Sequence, residues 1–268
     1  MTDAKLDRSA ACSTVRQKRI RIIPRLDIKG QNLIKGVQLE GLRVVGDPEK
    51  FAQKYYEEGA DELIYSDVVA SLYGRNSLLD MVAKTAKQVF IPLTVGGGIR
   101  SVDDVETLLK CGADKISVNS AAIQRPELIS EISSTFGAQC CVVEVQAKLF
   151  GKGQWTALYD NGRENSDRDV IDWACEAMER GAGELLITSI DRDGSRKGMD
   201  LELMSRISSI ASVPIIASGG VGSSSDVCDA VDTAIVDAVA IGDLLHFGRA
   251  SIREVKEYVT DSGIDVRL

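Results

Sequence analysis

The sequence lacks the patterns that mark several functional classes. It holds a single histidine, His246, and six cysteines (Cys12, Cys111, Cys140, Cys141, Cys175 and Cys228) with no Cys-x-x-Cys pair among them. That spacing offers neither a zinc signature nor a thioredoxin-type redox motif, and it reads as the reduced, buried thiols of a cytoplasmic protein. Adjacent Cys140 and Cys141 fall in an apolar run, where strand alternation points the two thiols apart. No run approaches the ~20 apolar residues that a membrane span requires. Positive charge is also in deficit: a net charge of −8 and a pI near 4.9 argue against nucleic acid or an acidic membrane as the main partner. Phosphate binding is not excluded, since backbone N–H groups and one well-placed lysine need no global positive field. No metal or cofactor is expected.

What the chain does contain is a repeat. Glu62-Leu63-Ile64-Tyr65-Ser66 is echoed by Glu184-Leu185-Leu186-Ile187-Thr188, and Ile91-Pro92-Leu93-Thr94-Val95-Gly96-Gly97-Gly98 by Val213-Pro214-Ile215-Ile216-Ala217-Ser218-Gly219-Gly220. Both echoes, from 62 to 184 and from 91 to 213, are displaced by 122 residues. Each copy alternates short apolar runs with helical stretches, so the repeat reads as half of an eight-stranded barrel, duplicated. A length of 268 residues suits a single (β/α)8 TIM barrel, which needs about 250.

Eight β-branched runs opening into Gly- or Asp-containing loops predict the strands: Ile20–Leu26, Glu62–Ser66, Pro92–Val95, Lys115–Val118, Cys141–Val145, Glu184–Thr188, Pro214–Ala217 and Ala238–Ile241. Helical spacing fills the intervals, over Pro48–Glu58, Ser77–Gln88, Val102–Cys111, Arg125–Phe136, Asp169–Arg180, Leu201–Ala211 and Ser223–Val231. Gly59, Gly112, Gly137 and Gly181 close four of them. Strict alternation implies parallel strands with right-handed crossovers. The polar residues 1–18 read as a disordered extension without an apolar signal core, and residues 19–268 as the barrel, with no linker or second domain. Two connections are long, Gly30–Asp47 and Leu149–Asp169, and long loops in compact domains usually carry function. The second reads partly as a hairpin, with Gln154–Tyr159 alternating before Asp160-Asn161-Gly162.

An active site on such a barrel lies at the carboxyl ends of the strands. Asp27, Asp67, Thr94, Asn119, Gln146, Thr188, Asp191 and Ser218 fall there. Asp191 is open between capping its loop and touching a substrate. Gly96-Gly97-Gly98 and Ser218-Gly219-Gly220 each follow a strand and precede a helix, so their free N–H groups suit a phosphate. Two such turns at matching places imply a substrate with a phosphate at each end. His246 and the methionines sit in apolar context and read as core.

These residues bring a family into view. From about Lys18 to Leu268 the chain resembles the cyclase subunit of imidazole glycerol phosphate synthase, an enzyme of histidine biosynthesis. The likeness rests on Leu26-Asp27-Ile28-Lys29, Lys35-Gly36, Gly46-Asp47-Pro48, Asp61-Glu62-Leu63, Thr94-Val95-Gly96-Gly97-Gly98-Ile99, Gly112-Ala113-Asp114-Lys115, Thr188-Ser189-Ile190-Asp191-Arg192-Asp193-Gly194 and Ile216-Ala217-Ser218-Gly219-Gly220. The resemblance implies a heterodimer with a glutaminase at the amino-terminal face. Ammonia would travel along the barrel axis to a bisphosphorylated ribulosyl-formimino aminoimidazole carboxamide ribotide at the other mouth. Addition of ammonia, loss of the carboxamide ribotide and ring closure would follow. Asp27 matches one of two catalytic aspartates and Lys35 a loop lysine over the substrate. Arg21, Glu62, Lys115 and Glu184 match a charged gate for ammonia, and Asp114 a partner-facing position. Without the resemblance, those four charges would read as residues pairing with one another.

The chain departs from that pattern at three places. Gln146 stands where the second aspartate belongs, and an amide can orient a substrate but does not transfer a proton near neutral pH. Glu144 points to the same side of its strand but lies lower in the barrel. Gly242-Asp243 replaces a small residue and a serine at a phosphate, where a carboxylate repels unless it turns away. Arg25 adds a charge beside Asp27. Three functions therefore stand: the cyclase; a paralogue that passes ammonia to an amidotransferase acting on cell-surface sugars; and, fitting least well, the related isomerase of the same pathway.

Overall fold

The computed structural model describes residues 19–69 and 76–268. In chain order its strands are β1 (Arg21–Lys29), β2 (Asn32–Val37), β3 (Glu40–Gly46), β4 (Leu63–Asp67), β5 (Leu93–Gly96), β6 (Lys115–Val118), β7 (Cys141–Gly151), β8 (Gln154–Tyr159), β9 (Glu164–Asp169), β10 (Glu184–Ser189), β11 (Ile215–Ser218) and β12 (Ala238–Ile241). The helices are α1 (Pro48–Glu57), α2 (Asn76–Thr85), α3 (Val102–Lys110), α4 (Ser120–Gln124), α5 (Glu127–Phe136), α6 (Val170–Glu179), α7 (Leu201–Ile210), α8 (Ser225–Ala234), α9 (Asp243–His246) and α10 (Ile252–Asp261). The extension expected over 1–18, with Cys12, lies outside the described residues.

Eight parallel strands close in the order β1, β4, β5, β6, β7, β10, β11, β12, with β12 pairing back to β1 from Arg21↔Ala238 to Pro24↔Ile241. This is the (β/α)8 barrel that the repeat predicts, and all eight expected strands occur, seven within three residues of their expected bounds and the strand from Cys141 running six residues further, to Gly151. The two long connections are antiparallel extensions of the barrel wall. β2 and β3 form a hairpin on β1, and β8 and β9 continue from β7. The first was expected only as a loop; β3 is largely exposed, so no buried face marks it in the sequence. Helix starts follow local chemistry. Asp47 caps α1 ahead of Pro48, and Ser101 with Asp104 forms a capping box on α3. Ser251 and Glu254 form a second box on α10, a helix absent from the expectation, as are the short α4 and α9.

Alternation along the strands sorts side chains into an outer core under the helices and a small inner core. The inner one comprises Ile23, Ile64, Val142, Leu186, Ile216, Ala238 and Ala240. Each large aliphatic side chain there stabilises the fold by about 1.5–3 kcal/mol, and together they form an apolar layer inside the bore. The same alternation places Arg21, Glu62, Lys115 and Glu184 below that layer, and Arg25, Glu144 and Thr188 above it. Among the described residues Cys111, Cys140, Cys141, Cys175 and Cys228 are free thiols, and burial pushes Cys141 up to about 12. None of the described helices is long and apolar enough to cross a membrane.

Candidate active site

At the carboxyl ends of the strands the mouth is divided unequally. On the side of β4 to β7 lies an open cavity of about 550 Å³ lined by Asp67, Gly97, Gly98, Asn119, Glu144, Gln146 and Tyr159, among others. On the side of β10 to β12 the space shrinks to about 20 Å³, enclosed by Arg25, Asp27, Lys35, Asp193, Ser218, Gly219, Gly220, Gly242 and Asp243. Side chains fill that half. Arg25 Nε reaches Asp27 at 3.1 Å, Lys35 Nζ stands 3.4 Å from the other Asp27 oxygen, and Lys35 also meets Asp193 at 2.7 Å. Burial acts to raise the Asp27 carboxyl, but Arg25 and then Lys35 outweigh it and hold it below the usual carboxylate range. Burial likewise opposes charge on Lys35, and Asp27 with Asp193 more than restores it.

Lys35 belongs to β2, so this contact pins the β2–β3 hairpin over the mouth. Gln38 N–H donates to the Asp193 carbonyl at 2.9 Å and strengthens the hold. In the sequence Asp193 is only one residue of a longer motif; the hairpin's return over the mouth gives it a partner in Lys35.

The Gly-Gly turns are sterically required. Gly97 has a φ of 107°, and a Cβ there would sit 2.4 Å from the Asp67 carbonyl oxygen. A Cβ on Gly220, at a φ of 105°, would sit 2.2 Å from the Gly198 carbonyl oxygen. Asn119 donates to the Leu158 carbonyl at 3.3 Å, leaving its buried Oδ1 without a hydrogen-bond partner among the described residues. Gln146 is buried, and its Oε1 likewise has none. Asp243 turns its carboxylate to Arg249, with Arg196 at 3.7 Å, so its charge is paired.

Three of the residues expected at the mouth, Thr94, Thr188 and Asp191, line neither cavity. Thr94 pairs in register with Lys115 deep in the barrel, because β5 begins one residue before it. The Asp191 carboxylate accepts from the Leu149 N–H at 2.7 Å and meets Lys148 at 2.6 Å, so it ties down the loop after β10.

At the other end of the bore the four expected charges form an alternating ring. Arg21 meets Glu62 at 2.7 Å and also Glu184, while Lys115 meets Glu62 at 2.9 Å and Glu184 at 3.1 Å. Burial opposes charge on Arg21, but Glu184 and Glu62 outweigh it. Asp114, beside the ring, accepts from the Leu93 N–H at 2.8 Å. His246 is core as expected: its Nε2–H donates to the Arg25 carbonyl at 2.9 Å, so Nδ1 accepts from the Tyr55 hydroxyl at 2.7 Å.

A duplicated barrel with paired Gly-Gly turns at its mouth and a charged ring at its base defines a class, and the chain belongs to the histidine biosynthesis protein family, which matches residues 21–251. Its relatives are more particular. It is 61% identical over 203 residues to the imidazole glycerol phosphate synthase subunit HisF of Legionella pneumophila, covering 76% of this chain and 96% of that one. Against the subunits of the same name from Anoxybacillus flavithermus and Bacillus cereus it is 48% and 45% identical over 248 residues, covering 92% of this chain and 98% of each.

Proposed function

We infer that the chain is the cyclase subunit of a glutamine-dependent imidazole glycerol phosphate synthase. The observation that carries this reading is one barrel joining a charged ring at its base to a mouth with two glycine turns. In this reading a glutaminase subunit docks on the amino-terminal face near Asp114 and releases ammonia at the ring of Arg21, Glu62, Lys115 and Glu184. The ammonia moves up the bore to the bisphosphorylated ribulosyl-formimino ribotide. One phosphate lies against Gly97 and Gly98 near Asn119, Asp67 and Gln146. The other lies against Ser218, Gly219, Gly220 and Gly242, beside Thr188 and Asp243. Side chains fill this second subsite, and Lys35, which meets Asp193 there at 2.7 Å, is placed to meet the phosphate. Lys35 then meets the incoming anion, and Asp27, held as a carboxylate, serves as a general base in the later ring closure.

A second reading is favoured by the Gln146 amide and by the filled second subsite. In it the barrel receives ammonia and hands it to an amidotransferase that modifies a sugar. Turnover of the ribotide by the purified chain, with ammonium salt in place of the glutaminase, separates the two. A rate near one per second, ordinary for an enzyme at about 1–10³ per second, supports the cyclase. No turnover by a folded chain that still activates a glutaminase refutes it in favour of the conduit.

A further inference from the structure

Between the ring and the mouth a charged pair crosses the barrel. β1 and β7 stand on opposite sides of the closed wall, four strands apart in either direction. Arg25 reaches from β1 across the bore to Glu144 on β7, with 2.9 Å between Nη2 and the carboxylate. Thr188 on β10 accepts from Arg25 at 2.7 Å and donates to Glu144 at 3.3 Å. The interior of an eight-stranded barrel is only wide enough for side chains to fill it. The pair therefore occupies the bore above the apolar layer, and Glu144 is the first carboxylate above that layer on the way from the ring to the mouth. Glu144 also lines the open cavity, whereas Asp27 does not; the Asp27 oxygens face Arg25 and Lys35 in the filled half. Gln146, next above Glu144 on the same face of β7, presents a buried oxygen with no hydrogen-bond partner among the described residues.

We propose that Glu144 is the proton acceptor for the incoming ammonia, in place of the carboxylate missing at Gln146. The proposal rests on the cyclase reading above. The ammonia lone pair forms the new N–C bond at the formimino carbon, and the C=N π pair passes to the imino nitrogen. One N–H proton of the attacking nitrogen goes to a Glu144 oxygen. Glu144 returns that proton to the imino nitrogen, which leaves a neutral adduct and restores the carboxylate. Arg25 is a positioning residue in this step: it holds the carboxylate across the bore, where the nucleophile arrives. Gln146 Oε1 accepts a second N–H of the same nitrogen and fixes its lone pair toward the carbon.

Ammonium-dependent turnover of the ribotide tests this with the full chain. Glu144→Gln is expected to lose about 10²–10³-fold in kcat with the KM for the ribotide little changed, the signature of a group that acts only in the transition state. Glu144→Ala is expected to regain at least about tenfold of its lost rate with added formate, a carboxylate small enough for the vacated space. Glu144→Gln turning over at nearly the wild-type rate overturns the proposal and leaves the cyclase reading standing. A wild-type chain that does not turn over the ribotide overturns both. If circular dichroism shows Glu144→Gln to be misfolded, formate and Glu144→Ala decide: a regained rate supports the proposal and no gain overturns it.

Discussion

Acidification should destabilise this barrel through one residue, and His246 allows the size of the effect to be worked out. The imidazole is buried between Tyr55 and the Arg25 carbonyl, and its Nδ1 already accepts a proton bond from the Tyr55 hydroxyl. A second ring proton would have to displace that bond inside a dry site. Burial is the main cause that pushes His246 down to about 4; Asp27 nearby opposes it without reversing it. In the unfolded chain the same group titrates near its ordinary 6.5. The folded pKa is therefore depressed, and below about pH 6.5 the unfolded state binds a proton that the folded state refuses. Stability is complete above that point and falls as the pH drops toward 4. Between about pH 7.5 and about pH 5 the loss from this residue is about 2 kcal/mol. Other groups also titrate, Asp27 among them, so the assay is a difference: urea unfolding of the wild type and of His246→Gln at both pH values. Gln keeps an amide N–H for the Arg25 carbonyl but does not titrate. The wild type should lose about 2 kcal/mol more than the variant. Equal losses would refute the reasoning and mean that His246 takes up its proton in the folded state.

Three further outcomes are expected. Gln146→Asp restores a titratable group on the cavity wall and should raise ammonium-dependent turnover by about tenfold or more, as added acid–base catalysis does; a fall would show that the amide is the better group here. Lys115→Met leaves Glu62 and Glu184 to share Arg21, and should cost about 1–3 kcal/mol in a denaturant titration, less than a fully buried pair because Lys115 is partly exposed; no change would make the ring energetically idle. Gly97→Ala forces a Cβ against the Asp67 carbonyl at a left-handed backbone position, and should cost about 1–3 kcal/mol by the same measurement.

The fold was legible because a buried parallel strand is written as a short β-branched run, and the duplication repeats that message at a fixed offset. The β2–β3 hairpin was not, because β3 exposes most of its residues and carries no alternating apolar face. The α10 helix should have been: Ser251-x-x-Glu254 is a capping box in plain sequence. At the site, the family resemblance grouped the ring residues, and strand alternation put Glu144 and Gln146 on one face. Alternation says nothing about what stands across the barrel, so the reach of Arg25 to Glu144 needed the closed wall. The same holds for Lys35, whose partners Asp27 and Asp193 are 8 and 158 residues away. The height of Thr94 is not legible either, since β5 is only four residues long and Thr94 is its second residue.

The ring at the base has a consequence for how such a barrel came to be a single chain. Arg21, Glu62 and Lys115 come from the first repeat and Glu184 from the second. A first half folding by itself would bring two cations and one carboxylate to its closing edge, and two such halves pairing together would gather four cations around two carboxylates. The second half keeps the glutamate, Glu184 answering Glu62, but adds no further cation, so the mixed closure sets two cations against two carboxylates. Desolvated charge of one sign is among the most expensive things a protein interior can hold, so the ring selects the covalent union of unlike halves over the self-pairing of like ones. Loss of the two cations from one half is thus enough to favour the single chain over a pair of identical halves.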